Sequence, residues 1–394
     1  MKKMKLNIMR ALRNRAAQAA VAIMAIAVAL GVSCVREPEL HLYAMQDLEL
    51  EFVATDLSLE VMWNYEDGYD YRKEWYYGWD DEDRRIFGEM GYLEPSEFQL
   101  RRYYTGQTAF GHHETVFAHY LESTHFVSQY MWGFWDLLVW NDISTIDGVH
   151  SLVFDETTSS DYVTAFTNPT AFPSRYNAPK FVRSFWEPEP LYSAYEQGID
   201  INPKLEGFTY DPERKVWVKQ IDMTLYPITY VYLTQVILHN NKGRVASVDG
   251  QGNFSGMART TNVNTGVAGE DAITIHYNTR LKPNCNMNGE QVDIIGGRLM
   301  TFGLCKNNCG RITHRSDVKD PNRHYMDVTM QFNNGMDSTI VFDITPQVLK
   351  RFKGGVITVE LDVDTVPIPS RSGGSGFDAV IKDPEDGGTW EIPL

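Results

Sequence analysis

The chain has 394 residues, with 36 Lys and Arg against 52 Asp and Glu, a formal net charge of −16. That balance argues against nucleic acid as a partner, because phosphate binding needs clustered Lys and Arg. Its 21 Tyr, 19 Phe and 9 Trp favour pleated sheets, where flat side chains pack well.

The N-terminus carries Lys2, Lys3, Lys5, Arg10, Arg13 and Arg15, then a small and apolar run over residues 19–32, then Ser33 and Cys34. A basic start, an apolar middle and small residues before a cut make a secretory signal. Cys34 just after the small residues gives it the form of a bacterial lipoprotein signal, with residues 1–33 removed and Cys34 lipidated. Gly31 stands where Leu is usual in such a signal. The alternative is a plain signal with an incidental cysteine. The apolar run of 14 residues is short of the ~20 needed to span a bilayer. Several acyl chains, at about 0.8 kcal/mol per buried methylene, would tether the protein firmly. The signal holds six bases and no acid, so the remaining chain carries a net charge near −22.

Residues 34–46 read as a tether, with Pro38 breaking any helix. Leu57, Leu59, Val61 and Trp63 then alternate with Ser58, Glu60 and Met62, the mark of a half-buried strand. Residues 68–106 are acidic, aromatic and turn-rich, with a short helix expected near 80–88, where acids favour the positive N-terminal end. Residues 130–140 read as a buried strand ending at Asn141-Asp142, and 151–155 as another. Prolines at 169, 173, 179, 188 and 190 suggest extended linker, and 189–198 has room for one or two helical turns. The composition shift near 205 divides the chain into an N-terminal domain, 47–205, and a C-terminal domain, 206–394.

The C-terminal half alternates more plainly. Strands are expected over 216–225, 228–238, 272–277 and 297–304. The second is apolar on both faces, which places it centrally or under cover on both sides. Residues 327–332 and 338–342 flank an Asn-Gly turn and read as a hairpin. Thr345 as N-cap and Pro346 at the first position predict a helix to 352, ended by Gly354-Gly355. A strand at 356–363, a glycine loop at 373–376 and a last strand or two within 377–393 complete the pattern. Many short strands without βαβ rhythm predict an all-β fold, two tandem antiparallel β-sandwich domains with a few short helices.

Motifs for chemistry are weak. The glycine-rich 250–256 stretch lacks a Lys-Ser/Thr ending, and Phe254-Ser255-Gly256-Met257-Ala258 is no nucleophile elbow. His112-His113-Glu114 lacks metalloprotease spacing and reads as a solvent loop. The run Asp80-Asp81-Glu82-Asp83 lacks the alternating calcium-loop pattern and reads as a helix start. Cys305 and Cys309 are spaced for a loop disulfide, with a zinc site or inert thiols as alternatives. Trp75, Tyr77 and Trp79 sit in a loop beside acids and are the candidate ligand surface, since such rings stack on sugars. The alternative is that they plug the edge of the N-terminal sandwich. No catalytic set, metal or cofactor is called for.

The lipoprotein cysteine, Trp140-Asn141-Asp142, the 254–258 segment, Thr301-Phe302-Gly303, Phe342-Asp343-Ile344-Thr345-Pro346-Gln347-Val348 and the glycine-rich 373–377 stretch together resemble the fimbrillin-like and fimbrial-anchor lipoproteins of gut anaerobes. The resemblance covers most of the mature chain and is best over 216–394. It implies two transthyretin-like sandwiches and a non-enzymatic pilus anchor, accessory or adhesion subunit at the outer membrane. Its implied partners are pilin-like subunits joined by strand addition. The aromatic 68–106 insert departs from that pattern and leaves glycan binding as the alternative.

Overall fold

The computed structural model describes residues 55–63, 71–106, 115–144, 150–156, 162–173, 183–305, 323–367 and 379–382. The signal, Cys34, the tether, His112-His113-Glu114, Cys309 and the 373–377 loop lie outside these. In chain order the strands are β1 (Thr55–Trp63), β2 (Phe98–Gly106), β3 (Thr115–Leu121), β4 (His125–Gln129), β5 (Gly133–Asn141), β6 (Leu152–Asp155), β7 (Thr164–Thr167), β8 (Pro169–Pro173), β9 (Arg183–Trp186), β10 (Tyr192–Ile201), β11 (Thr209–Asp211) and β12 (Val216–Pro227). They continue with β13 (Tyr230–His239), β14 (Val245–Ala258), β15 (Thr260–Asn262), β16 (Ala272–Met287), β17 (Glu290–Thr301), β18 (Tyr325–Phe332), β19 (Asp337–Asp343), β20 (Gly355–Asp362) and β21 (Ala379–Lys382). Helices α1 (Tyr71–Glu74), α2 (Asp81–Phe87) and α3 (Thr345–Lys350) are short.

The fold is all-β. One curled sheet runs β3-β2-β5-β10-β12-β1-β4, and a second runs β20-β13-β17-β16-β14-β18-β19-β21. A three-stranded sheet, β15-β7-β6, adjoins them. Pairing is mostly antiparallel, but β1 with β12, β13 with β20, β9 with β16 and β19 with β21 are parallel. The alternation in β1 sends Leu57, Leu59 and Val61 into the first core, against Trp135, Leu137 and Val139 of β5 and Tyr192 of β10. A separate core fills the second sheet around Tyr232, Phe254, Leu299 and Phe342. After β9, which pairs with β16 of the second sheet, the chain returns to the first sheet with β10, β11 and β12 and leaves it at Ile228-Thr229, ahead of β13.

Three local expectations are corrected. Residues 192–201 form a strand, not helical turns, because Tyr192, Ala194, Ile199 and Ile201 are buried while the backbone pairs with β5. A bulge between Glu196 and Ile199 hides the alternation from the sequence. Strand β17 starts at Glu290, well before 297, so that Val292 and Ile294 can be covered. Helix α3 takes Ile344, not Thr345, as N-cap. The Thr345 hydroxyl is engaged elsewhere: it accepts from the His324 N–H at 2.9 Å and donates to the His324 carbonyl at 3.3 Å.

Candidate ligand cleft and the aromatic segment

Strand β13 is apolar on both faces because both are covered. Tyr232, Val236 and Leu238 face the inner core, while Val231, Leu233 and Ile237 face outward. Over that outward face lies the aromatic segment around α1 and α2, with Trp75, Tyr77, Trp79 and Phe87 packed on it. Tyr77 is 2% exposed, and Trp75 and Trp79 are half-buried. The face they cover belongs to the second sheet, not to the edge of the first. The site chemistry expected of these rings therefore starts from side chains already packed against protein.

Two devices fix the segment. Gln235, fully buried on the outward face, accepts from the Tyr76 N–H at 3.0 Å and donates to the Glu74 carbonyl at 2.6 Å and the Thr358 hydroxyl at 2.8 Å. Gly296 of β17 provides flat backbone, since a Cβ there would lie 2.4 Å from the Tyr77 ring. A buried amide with all its partners in place locks one register, and leaving it unpaired would cost stability.

The acidic run starts α2, as expected, and joins an ion network, with Asp83 buried and Asp80, Asp81 and Glu82 exposed. Asp80 caps α2, accepting from the Asp83 N–H at 2.9 Å, and Asp83 returns the bond to the Asp80 N–H at 2.8 Å. Asp83, 0% exposed, also accepts from the Tyr77 hydroxyl at 2.9 Å, from Arg280 at 2.5 Å and from Lys282. Burial, and then Asp83 itself, pushes the Tyr77 phenol far above its usual range. The backbone bond from Asp83 and the Lys282 ammonium hold Asp80 well below the carboxylate range. Cys305 is buried with its sulfur 3.9 Å from the Gly256 carbonyl, and Cys309 lies outside the described residues. Among the described residues, no group of three or more His, Cys, Asp or Glu is arranged to hold a metal ion.

Where the aromatic segment ends, a cleft of about 770 Å³ opens. Its walls are Phe87 and Leu93, the stretch Trp186-Glu187-Pro188-Glu189-Pro190, His150-Ser151, and Arg298 with Met300 from β17. The 186–190 wall is held at many points. The Trp186 N–H donates to the Asn168 carbonyl at 3.1 Å, and Asn141 donates to the Pro190 carbonyl at 2.9 Å. Glu189 is consumed structurally, accepting from the N–H groups of Ser151 at 2.6 Å and Leu152 at 2.9 Å. Glu187 accepts from the Met300 N–H at 2.8 Å. Burial raises the Glu187 pKa, with Arg298 and the Met300 bond pulling it back. Arg298 is half-buried, and its Nε is buried with no hydrogen-bond partner. Trp186 is 43% exposed, with Phe172 and His276 against it at ring separations of 6.4 and 5.7 Å.

None of these cleft residues stands out in the sequence, where 168–190 reads as proline-rich linker. The available signal is the Trp-Glu-Pro-Glu-Pro run itself, which sets an aromatic and two acids on backbone stiffened by proline.

No protein-family model matches the chain, and no curated protein matches it in sequence. Several solved structures are similar in shape. A putative adhesin from Bacteroides ovatus shares 11% identity, with 79% of this chain and 94% of that one covered, at a TM-score of 0.44. The fimbrial anchor protein Mfa2 from Porphyromonas gingivalis shares 8%, covering 78% and 90%, at 0.40. A structure from Bacteroides thetaiotaomicron described as putative polysaccharide binding proteins shares 9%, covering 78% and 91%, at 0.37.

Proposed function

We propose that this protein is a non-enzymatic surface lipoprotein of the fimbrillin-like type, serving as a pilus anchor, accessory or adhesion subunit. The observation that carries the reading is the lipoprotein-type N-terminus, residues 1–34, placed ahead of an almost wholly β body. Cys34 holds the lipid, the tether gives reach, and the β body presents the binding surface. The net charge near −22 beyond the signal keeps that surface dispersed and away from nucleic acid. Pilin-like subunits are the partners that the sequence resemblance implies, and the adhesin and fimbrial descriptions of the structural neighbours agree with that choice.

The test is affinity capture of the full chain from its own cells, together with deletion of its gene. Co-purification of pilin-like subunits, with lost pili or adhesion in the deletion strain, is expected. Capture without such a partner, with pili and adhesion intact in the deletion strain, refutes the proposal.

A further inference from the structure

We propose that the cleft between Trp186, Glu187 and Arg298 is a binding site for a neutral pyranose sugar. This site is separate from the Trp75–Tyr77–Trp79 segment, and it stands or falls independently of the pilus role.

Arg298 lies on the outward face of β17, between Gly296, which Tyr77 covers, and Met300. The aromatic segment thus hides the residues before it and leaves Arg298 on the cleft wall. Its guanidinium has no hydrogen bond or ion pair among the described residues, and its Nε is shut off from water. A half-buried donor without an acceptor is costly, so its surroundings should supply one. Glu187 stands on the same cleft with one oxygen on the Met300 N–H. Its other oxygen has no hydrogen-bond donor among the described residues. The cleft therefore offers a guanidinium donor and a carboxyl oxygen, both on rigid backbone.

Three ligand classes can be compared. An apolar ligand leaves Arg298 without an acceptor. A carboxylate satisfies Arg298 but meets Glu187, with Glu189 and its charge close by. A sugar hydroxyl donates to Glu187 and accepts from Arg298, so a pair of neighbouring hydroxyls satisfies both. A pyranose also has a flat C–H face, which Trp186 can receive. That ring stands at the rim, fixed by Phe172 and His276, with 43% of its surface open. An extended peptide would look for backbone donors, and Pro188 and Pro190 remove two from this wall. The volume of about 770 Å³ falls within the ~300–1,000 Å³ typical of small-ligand sites.

The experiment is saturation-transfer NMR and calorimetric titration of the full chain. The probes are methyl pyranosides of glucose, galactose and mannose, with glucuronate as the acidic comparison. Saturable binding of at least one neutral glycoside at millimolar concentration is expected. Trp186→Ala should weaken it about tenfold or more, since a lost aromatic contact and its buried area together exceed ~1.4 kcal/mol. The thermal transition of this variant should fall by no more than a few degrees, because 43% of the side chain is already open to solvent. Arg298→Lys should weaken the same glycoside while leaving the transition in place. Three results overturn the proposal: no neutral glycoside binds, glucuronate alone binds, or binding survives Trp186→Ala unchanged.

Discussion

Replacing Tyr77 by Ala tests whether the aromatic segment is structural cover for the second sheet. Tyr77 is 2% exposed and its ring lies over Gly296, with the Lys282 ammonium 4.2 Å from its centre and Trp75 at 5.4 Å. Truncating a buried aromatic costs about 3–5 kcal/mol, because neighbours only partly fill the space. Here Gly296 has no side chain to move in, which places the loss toward the upper end. In a chain of this size the thermal transition should fall by on the order of 10 °C. Tyr77→Phe isolates the hydroxyl. It removes one donor from Asp83 but leaves Arg280 and Lys282 in place, so about 1 kcal/mol should be lost. Urea titration followed by tryptophan fluorescence reads both variants. If Tyr77→Ala stays within about 0.5 kcal/mol of wild type, as surface substitutions do, the covering role is refuted.

Gly296→Ala should cost about 1–3 kcal/mol by driving a methyl into the Tyr77 ring. In the Tyr77→Ala background that cost should largely vanish, and a double-mutant cycle showing simple additivity would contradict the contact. Arg280→Met leaves buried Asp83 with Lys282 as its remaining cation and should cost on the order of 3 kcal/mol by the same titration. Burial depresses the pKa values of His276 and His119, with Asp249 opposing the shift at His276 and Arg102 and Arg101 adding to it at His119. Each therefore stays neutral to a lower pH in the folded chain than in the unfolded chain, which takes up their protons from about pH 6.5 downward. Stability should be full above that pH and decline as pH falls through the folded values. Asp80, also depressed, adds a further loss below about pH 4. A melting temperature that does not change between pH 7.5 and 5.5 would oppose the histidine part of this account.

The strands were legible wherever one face is buried and the other is wet. Leu57, Leu59 and Val61 announce β1 for that reason, and Asn334-Gly335 announces the β18–β19 hairpin. The double-sided apolar pattern of β13 told correctly that both faces are covered, but not by what. Its cover comes from residues more than 130 positions earlier, and no local period encodes that pairing. The same distance explains the acids at 80–83, whose cations Arg280 and Lys282 are about 200 residues away. Strand β10 was misread because its bulge breaks the two-residue period. The cleft was invisible because its parts come from five separate stretches, and its prolines mimic a linker.

The central claim, a surface-tethered binding protein, is tested most directly by Cys34→Ala in cells that depend on the chain for adhesion. Membrane fractionation and adhesion to a host or partner-cell layer are measured together. The account predicts that the variant leaves the membrane fraction and that adhesion falls to the level of the deletion strain, while the soluble protein keeps its wild-type melting temperature. A Cys34→Ala variant that stays in the membrane fraction and supports normal adhesion would contradict it.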